Sequence, residues 1–275
     1  MTRPLRVLAI LGSPKRNGNG HAIARRIERE LRSLGDVEMT ILFLADAGLG
    51  LCKGCFGCIR NGEGRCPCGD DRALIEREID AHDGIILVSP GYVQNVSGLM
   101  KNFMDRMAYT HHRPKWFDKR VMVVANGGAG LPLVLDALRK ALGGPRVTAE
   151  LQVLALPWPM QPRTVERNER ALRKAVAAFH ASLGRGAPAS PTFGEYVGFR
   201  FFKLTSPGTR EWLPADYEWY KDKADYYYPA RIGMGKRLGA ALVTRLVLFM
   251  MKGMAPGTEP RPVREMEAAA ERPPS

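Results

Sequence analysis

Short apolar runs alternate with amphipathic stretches through the first 183 residues. Arg6-Val7-Leu8-Ala9-Ile10-Leu11 is an unbroken apolar run of strand length, the form taken by a parallel strand covered on both faces. Residues 21–34 then place Ile23, Ile27, Leu31 and Leu34 on one helical stripe with charge opposite, and Gly35 ends the pattern. Met39 to Leu44 reads as a second strand, and Asp71 to Ile79 as a short helix with acidic residues near its start. Gly84 to Val88 and Arg120 to Ala125 are further buried strands, followed by helices over 97–108 and Leu131 to Leu142. A weaker strand over Leu151 to Leu156 and a long helix over Thr164 to Leu183 complete five strand–helix units. Strict alternation of this kind predicts an α/β fold with a doubly wound, five-stranded parallel sheet.

The pattern changes beyond residue 183. Residues 184–195 have the Gly/Pro/Ser composition of a linker, leaving 1–183 as one domain with a Cys-rich insertion at 47–70. Residues 196–254 form a C-terminal aromatic and basic helical extension, and the Pro/Glu/Arg tail 255–275 is expected to be disordered. From Tyr226 to Met254 the chain carries Arg231, Lys236, Arg237, Arg245 and Lys252 and no acidic residue. Leu238, Leu242, Val243, Leu246, Phe249 and Met250 share a helical face there. Such a helix suits a membrane surface or a docking partner; packing on the core or across a dimer is the alternative. Arg245 in mid-run argues against a spanning helix. No stretch approaches the roughly 18 apolar residues that cross a bilayer. The first apolar run ends in a Gly-rich turn, which reads as a strand and not an export signal. A cytoplasmic protein, soluble or membrane-peripheral, is expected.

Composition adds one constraint. The 275 residues are 45% hydrophobic and 25% charged, the balance of a globular chain, with a net charge of +13. A surface so charged steers anionic cofactors, lipids and nucleic acids alike. No zinc-finger, RNP or basic-zipper pattern occurs, and the basic residues are spread over several helices and the tail, so no nucleic-acid partner is expected.

The first strand runs directly into Gly12-Ser13-Pro14-Lys15-Arg16-Asn17-Gly18-Asn19-Gly20 and a helix. Glycines allow a tight turn and close approach to a ligand, while the helix start offers free N–H groups to a phosphate. Ser13 and Asn19 add donors, and Lys15 or Arg16 adds charge. The spacing is neither that of a P-loop nor the Rossmann Gly-x-Gly-x-x-Gly, and taken alone it also suits an ordinary polar turn. Two more loops of similar composition follow the third and fourth strands: Ser89 to Gly98, and Asn126-Gly127-Gly128-Ala129-Gly130. In a doubly wound sheet all three line the crevice at the strands' C-terminal ends, where ligands sit.

Together, Gly12-Ser13-Pro14, Asn17-Gly18-Asn19, Ser89-Pro90-x-Tyr92 and Ser97-Gly98-x-x-Lys101-x-Phe103-x-Asp105-Arg106 resemble the NAD(P)H-dependent FMN reductases, over roughly residues 5–182. The resemblance implies a flavodoxin-like fold and an FMN whose phosphate is taken by Ser13, Lys15, Arg16, Asn17, Asn19, Gly20 and His21. It implies that Pro90, Gly91, Tyr92, Val93 and Gln94 lie along the flavin ring, with Asn126, Gly127 and Gly128 close to the isoalloxazine. It further implies an enzyme whose FMN accepts a hydride from NADH or NADPH and reduces a quinone, flavin or other small acceptor, in a homodimer or homotetramer. Members of the family also carry Trp/Tyr-rich tails. Two departures stand out: His21 replaces the usual Thr or Ser, removing a phosphate donor, and Gly91 replaces an apolar residue, which is expected to open the pocket. Lys101, Asp105 and Arg106 read as ion pairing that buttresses the loop or an interface, and His111-His112 as an exposed pair.

All five cysteines fall between Cys52 and Cys68, a poor disulfide framework. Cys52-x-x-Cys55-x-x-Cys58, followed by Cys66 and Cys68, resembles the compact motif of iron–sulfur flavoproteins. That resemblance implies a [4Fe–4S] cluster on Cys52, Cys55, Cys58 and Cys66, with Cys68 spare. A structural zinc, unligated thiols and a disulfide switch are the other readings of the spacing. Two further functions remain open on sequence: one-electron transfer between FMN and a cluster, and a non-enzymatic flavin-binding protein docked through its basic tail.

Overall fold

The computed structural model describes residues 3–183, 188 and 190–251. The expected tail at 255–275, the last residues of the extension at 252–254 and linker residues 184–187 lie outside that set. The chain divides into two compact units, Met1–Ala189 and Ser190–Ser275.

In chain order the first unit contains β1 (Leu5–Leu11), α1 (Asn19–Leu34), β2 (Val37–Phe43), α2 (Gly57–Arg60), α3 (Arg72–Ala81), β3 (Gly84–Pro90), α4 (Gly98–Arg106), α5 (Tyr109–His112), β4 (Arg120–Gly127), α6 (Leu131–Arg139), β5 (Arg146–Leu154) and α7 (Pro162–Leu183). The strands form one sheet in the order β2-β1-β3-β4-β5, and every neighbouring pair is parallel. This is the flavodoxin-like order, with β1 and β3 adjacent at the switch point.

Central strands β1, β3 and β4 are buried almost throughout, which is why they read as unbroken apolar runs. One sheet face packs Val7, Ala9, Leu11, Ile86 and Val88 against Ile23, Ile27 and Leu31 of α1 and Val176 and Phe179 of α7. Leu8, Ile10, Ile85, Leu87 and Val123 point the other way and are equally buried. Gly84 belongs to this packing: a Cβ there would stand 2.8 Å from Phe179 Cζ and press on Leu183.

Strand β5 begins at Arg146, five residues before the apolar run suggested. It is an edge strand whose Arg146-to-Glu150 portion alternates polar and apolar, and its pairing with β4 shifts register between Val121 and Met122. The helix expected over 97–108 closes at Arg106, and the chain re-forms a separate short turn as α5.

The second unit has α8 (Phe193–Thr205), α9 (Pro214–Tyr220) and α10 (Met234–Met250). Residues 193–195 of the Gly/Pro/Ser stretch open α8, whose Thr192 and Glu195 form a reciprocal capping box. The Tyr-rich segment makes a small core of its own, with Tyr196, Phe199, Tyr220, Tyr226, Ile232 and Ala240 buried together. Tyr220 and Tyr227 join their hydroxyls at 2.8 Å within it. Among the described residues no helix is long and apolar enough to cross a membrane.

Gly84→Ala is expected to destabilise the protein by about 1–3 kcal/mol through overpacking against α7. The shift of the urea midpoint measures it, and an unchanged midpoint would contradict the tight β3–α7 packing.

Candidate functional site

Strands β1, β3 and β4 end at the same edge of the sheet, and the three loops that leave them converge there. Gly12 N donates to Val88 O at 2.8 Å, so the first loop starts against β3. Ser97 caps α4: its hydroxyl donates to Gly12 O at 2.5 Å and accepts from Met100 N at 3.2 Å. Ser97 N in turn donates to the Ser89 hydroxyl at 3.0 Å, which donates to Pro90 O. The approach leaves no room for a side chain at Gly12, whose Cβ would lie 2.8 Å from Ser97 Oγ. Gly91 N donates to Asn126 O at 2.8 Å, tying the second loop to the third.

The phosphate loop turns through Gly18 N donating to Lys15 O, and Ser13 is buried with its hydroxyl accepting from Lys15 N at 3.3 Å. Helix α1 opens at Gly18 without a side-chain cap and without an acidic residue in its first turn, leaving N–H groups and dipole for an anion. Lys15, Asn17 and Asn19 are exposed at the mouth, and Gly20 is buried. Arg16 is turned away: it pairs with Asp46 at 2.6 Å and stacks over Phe43. His21 also packs edge-on against Phe43, with ring centroids 5.3 Å apart.

The ring-side loop is a two-residue hairpin in which Tyr92 and Asn95 exchange backbone hydrogen bonds. Val93 and Gln94 at its tip have φ values of 50° and 59°, the left-handed pair such a turn demands. For a β-branched valine this is a strained backbone, and Val93 is fully exposed. Gly130, at φ 70°, fits beneath the tip, where a Cβ would lie 3.0 Å from Gln94 Cα. The room expected at Gly91 is taken by its neighbours: a Cβ there would meet Val134 Cγ2 at 3.2 Å, so α6 packs into the space. Gly127 has φ 154°, and a Cβ on it would reach Gly91 N and O at 3.5 Å; Gly128 next to it is exposed.

Asn126 is buried in the crevice beside Ser13, Ser89 and Ser97. Its Oδ1 lies 3.6 Å from where a Gly20 Cβ would be and has no hydrogen-bond partner among the described residues. A buried acceptor without a donor is costly unless a ligand supplies one. That orphan oxygen, the glycines around it and the uncapped helix start fit an anionic, hydrogen-bonding cofactor such as FMN.

The cysteine loop is held by side chains of α4, of Asp70 just before α3 and of Arg113 just after α5. Asn102 accepts from Cys52 N at 2.9 Å and donates to Gly50 O, while Asp70 accepts from Gly50 N at 2.8 Å. Arg106, almost fully buried, donates to both Asp70 oxygens at 2.6 and 2.7 Å and to Cys66 Sγ at 2.8 Å. Arg113 donates to the carbonyls of Ile59 and Cys58. Burial pushes the Cys66 thiol up, but the Cys68 amide and the Arg106 guanidinium outweigh it and hold the thiol below its ordinary value. Burial pushes the Cys58 thiol up, and nearby Cys66 and Cys52 add to the effect. Cys55 is exposed, and all five cysteines are free. The donor set, soft thiols close together in sequence with Arg106 donating to the Cys66 sulfur, suits thiophilic iron. Among the described residues the side chains are not themselves drawn into a metal-ligating group.

Lys101 and Asp105 pair on the α4 surface at 2.5 Å, whereas Arg106 turns inward as the buttress of the cysteine loop. His111 is exposed and His112 half-buried on α5. Sequence spacing did not single out Ser89, Ser97, Asp46 or Asn102 as site residues. The reach of the Ser97 hydroxyl to Gly12 depends on the strands' adjacency.

A flavodoxin-like sheet with these three loops on its C-terminal edge has the architecture in which a flavin is held at the β1/β3 switch point. Residues 5–156 match the family described as NADPH-dependent FMN reductase, and the chain belongs to that family. An iron-sulfur flavoprotein of Archaeoglobus fulgidus is 33% identical over 129 residues, 46% of this chain and 57% of that protein. The aligned stretch thus spans little more than half of that relative. An iron-sulfur flavoprotein of Methanocaldococcus jannaschii is 32% identical over 195 residues, 65% of this chain and 97% of that protein. The solved apo structure of an NADH:FMN oxidoreductase superposes on 66% of this chain and 91% of its own, at 22% identity and a TM-score of 0.45.

Ser97→Ala removes both hydroxyl bonds and leaves Gly12 O without its donor. The loss of unfolding free energy is expected to be about 1–3 kcal/mol. Urea titration of the FMN-free protein reads it, and an unaltered midpoint would mean that the hydroxyl does not hold the first loop.

Proposed function

We propose that this protein binds FMN in the three-loop crevice, oxidises NADH or NADPH and reduces a quinone, a flavin or another small acceptor. The observation that carries the reading is the buried, partnerless Oδ1 of Asn126 between the phosphate loop and the ring-side loop. FMN, when bound, supplies the two-electron chemistry.

The chain's own residues bind and orient. Backbone N–H groups at the uncapped start of α1, with those of the loop that its own turn does not use, receive the phosphate, with Lys15 nearby as counter-charge. Arg16 contributes through Phe43 and Asp46, fixing the outer wall of the loop. Asn126 offers its free acceptor to a donor on the cofactor. Pro90 to Gln94 form the ring-side wall, and the glycines at 127 and 128 keep side chains out of the space opposite. Exposed Tyr92 and Val93 at the crevice rim are positioned to touch a second copy of the chain, as a homodimer or homotetramer of the family type would require.

Cys52, Cys55, Cys58 and Cys66 are proposed to hold a [4Fe–4S] cluster, supported by the motif, by Arg106 on the Cys66 sulfur and by the names of the relatives. A bound cluster supplies one-electron relay. Arg106, Arg113, Asn102 and Asp70 hold the loop's backbone in place for ligation.

Purified protein is expected to show flavin absorption that NADH or NADPH bleaches and a quinone restores under anaerobic conditions. Lack of flavin after incubation with FMN would end the flavin reading. Flavin that neither nicotinamide bleaches, but a low-potential donor does, would move the function to one-electron transfer. Anaerobic preparations are further expected to hold about four irons per chain. Cys58→Ser should lose the iron and keep the flavin; an iron content near zero before substitution removes the cluster while leaving the flavin chemistry intact.

A further inference from the structure

Helix α10 is apolar around most of its circumference, yet only one side is covered. Ala240 and Thr244 are fully buried on the side that packs with α8. Met234, Leu238, Leu242, Leu246 and Met250 recur every four residues on the other side, each 57–73% exposed. The stripe runs about 24 Å along the helix. Half-exposed Phe193, whose ring would lie 3.3 Å from a Cβ at Gly239, extends it onto the start of α8. A helix that is hydrophobic all round is a buried helix, so this stripe requires a partner.

Charge chooses among the partners. No acidic residue occurs between Tyr226 and Met251. On a helical wheel Arg245 falls between Met234 and Leu238, inside the stripe, and it is exposed, as is Arg231 just before the helix. Lys236 flanks the opposite margin, donating to Pro191 O at 2.6 Å. Arg237 is bound to Asp225 on the packed side and is not available. A second copy seated on this face by two-fold symmetry would set Arg245 against an acid-free helix, burying like charges with no carboxylate to pair them. Lipid headgroup phosphates meet the same arrangement without that cost. The aliphatic stem of Arg245 lies along the apolar stripe while its guanidinium reaches the phosphate layer. At 17 residues with Arg245 in its span, the helix suits the plane of the interface and not a crossing.

We propose that the exposed face of α10 docks this protein on an anionic lipid surface, with Met234, Leu238, Leu242, Leu246 and Met250 in the acyl boundary and Arg231 and Arg245 on the headgroups. Docking of this kind would deliver the catalytic unit to acceptors that reside in a bilayer.

The full-length FMN-loaded protein is tested by flotation with vesicles of phosphatidylcholine, alone or mixed with phosphatidylglycerol. The protein is expected to float with the mixed vesicles, to stay behind with the neutral ones, and to be released by high salt. Leu238→Glu/Leu242→Glu should reduce the bound fraction at least roughly tenfold. Arg231→Glu/Arg245→Glu should reduce binding to the neutral-vesicle level. Both doubles alter exposed positions and should keep the native melting profile and NAD(P)H oxidation. Failure to float with mixed vesicles overturns the proposal, as does equal flotation of wild type and the Leu238/Leu242 variant. A wild-type oligomer that this variant dissociates, without any vesicle binding, assigns the face to a second copy and likewise overturns it. Capture by an acidic protein with no vesicle binding does the same.

Discussion

The three central strands, buried on both faces, must all release their chain at one edge, and there the backbone leaves the ladder with its polar groups unmatched. The protein answers this with hydrogen bonds between the departing loops. The Ser97 hydroxyl satisfies Gly12 O while capping α4, Ser89 receives Ser97 N, and Gly91 N pairs with Asn126 O. The Ser97–Gly12 and Gly91–Asn126 bonds join loops from neighbouring strands, and the Ser89–Ser97 bond ties the middle loop to its own strand. Among the described residues the crevice's buried side-chain acceptor Asn126 Oδ1 is left without a donor. A polar group left over in an otherwise satisfied network calls for an explanation, and it is the feature on which the proposed cofactor site rests.

Helix α4 serves two sites at once. Its first turn closes the flavin crevice through Ser97 and Met100, and its last turn grips the cysteine loop through Asn102 and Arg106. The Arg106 guanidinium is almost fully buried, and its charge is paired with the Asp70 carboxylate while it also donates to Cys66 Sγ. A buried cation held this way fixes geometry more than it adds stability. The crevice and the cysteine loop of the first unit therefore share one helix of nine residues.

The second unit follows a different economy. Its aromatic residues face one another, with Tyr196, Phe199, Tyr220 and Tyr226 in ring contact, and this satisfies α8 and the inner side of α10. What remains on α10 is an apolar stripe bordered by cations. An aromatic cluster that size organises three short helices but is too small to wrap the third one, which is the physical reason its outer face stays open.

The sequence by itself determined the five-fold alternation of strand and helix, the phosphate loop, the cysteine spacing and the acid-free basic helix. These are local signals: apolar periodicity, glycine between strand and helix, and thiols two residues apart each report on their own neighbourhood. Edge strand β5 was the least legible element, because a strand covered on one side alternates like a loop with apolar insertions. Tertiary structure alone decided which side chains serve the loops. Arg16 and His21 fold onto Phe43, a β2 residue more than twenty positions away; Val134 fills the room left by Gly91; Ser97 reaches Gly12 across 85 residues. None of these has a spacing signature, since each depends on which strands lie side by side. The same holds for the orphan oxygen of Asn126: its residue type was visible, while its lack of a partner appears only once every neighbour is in place.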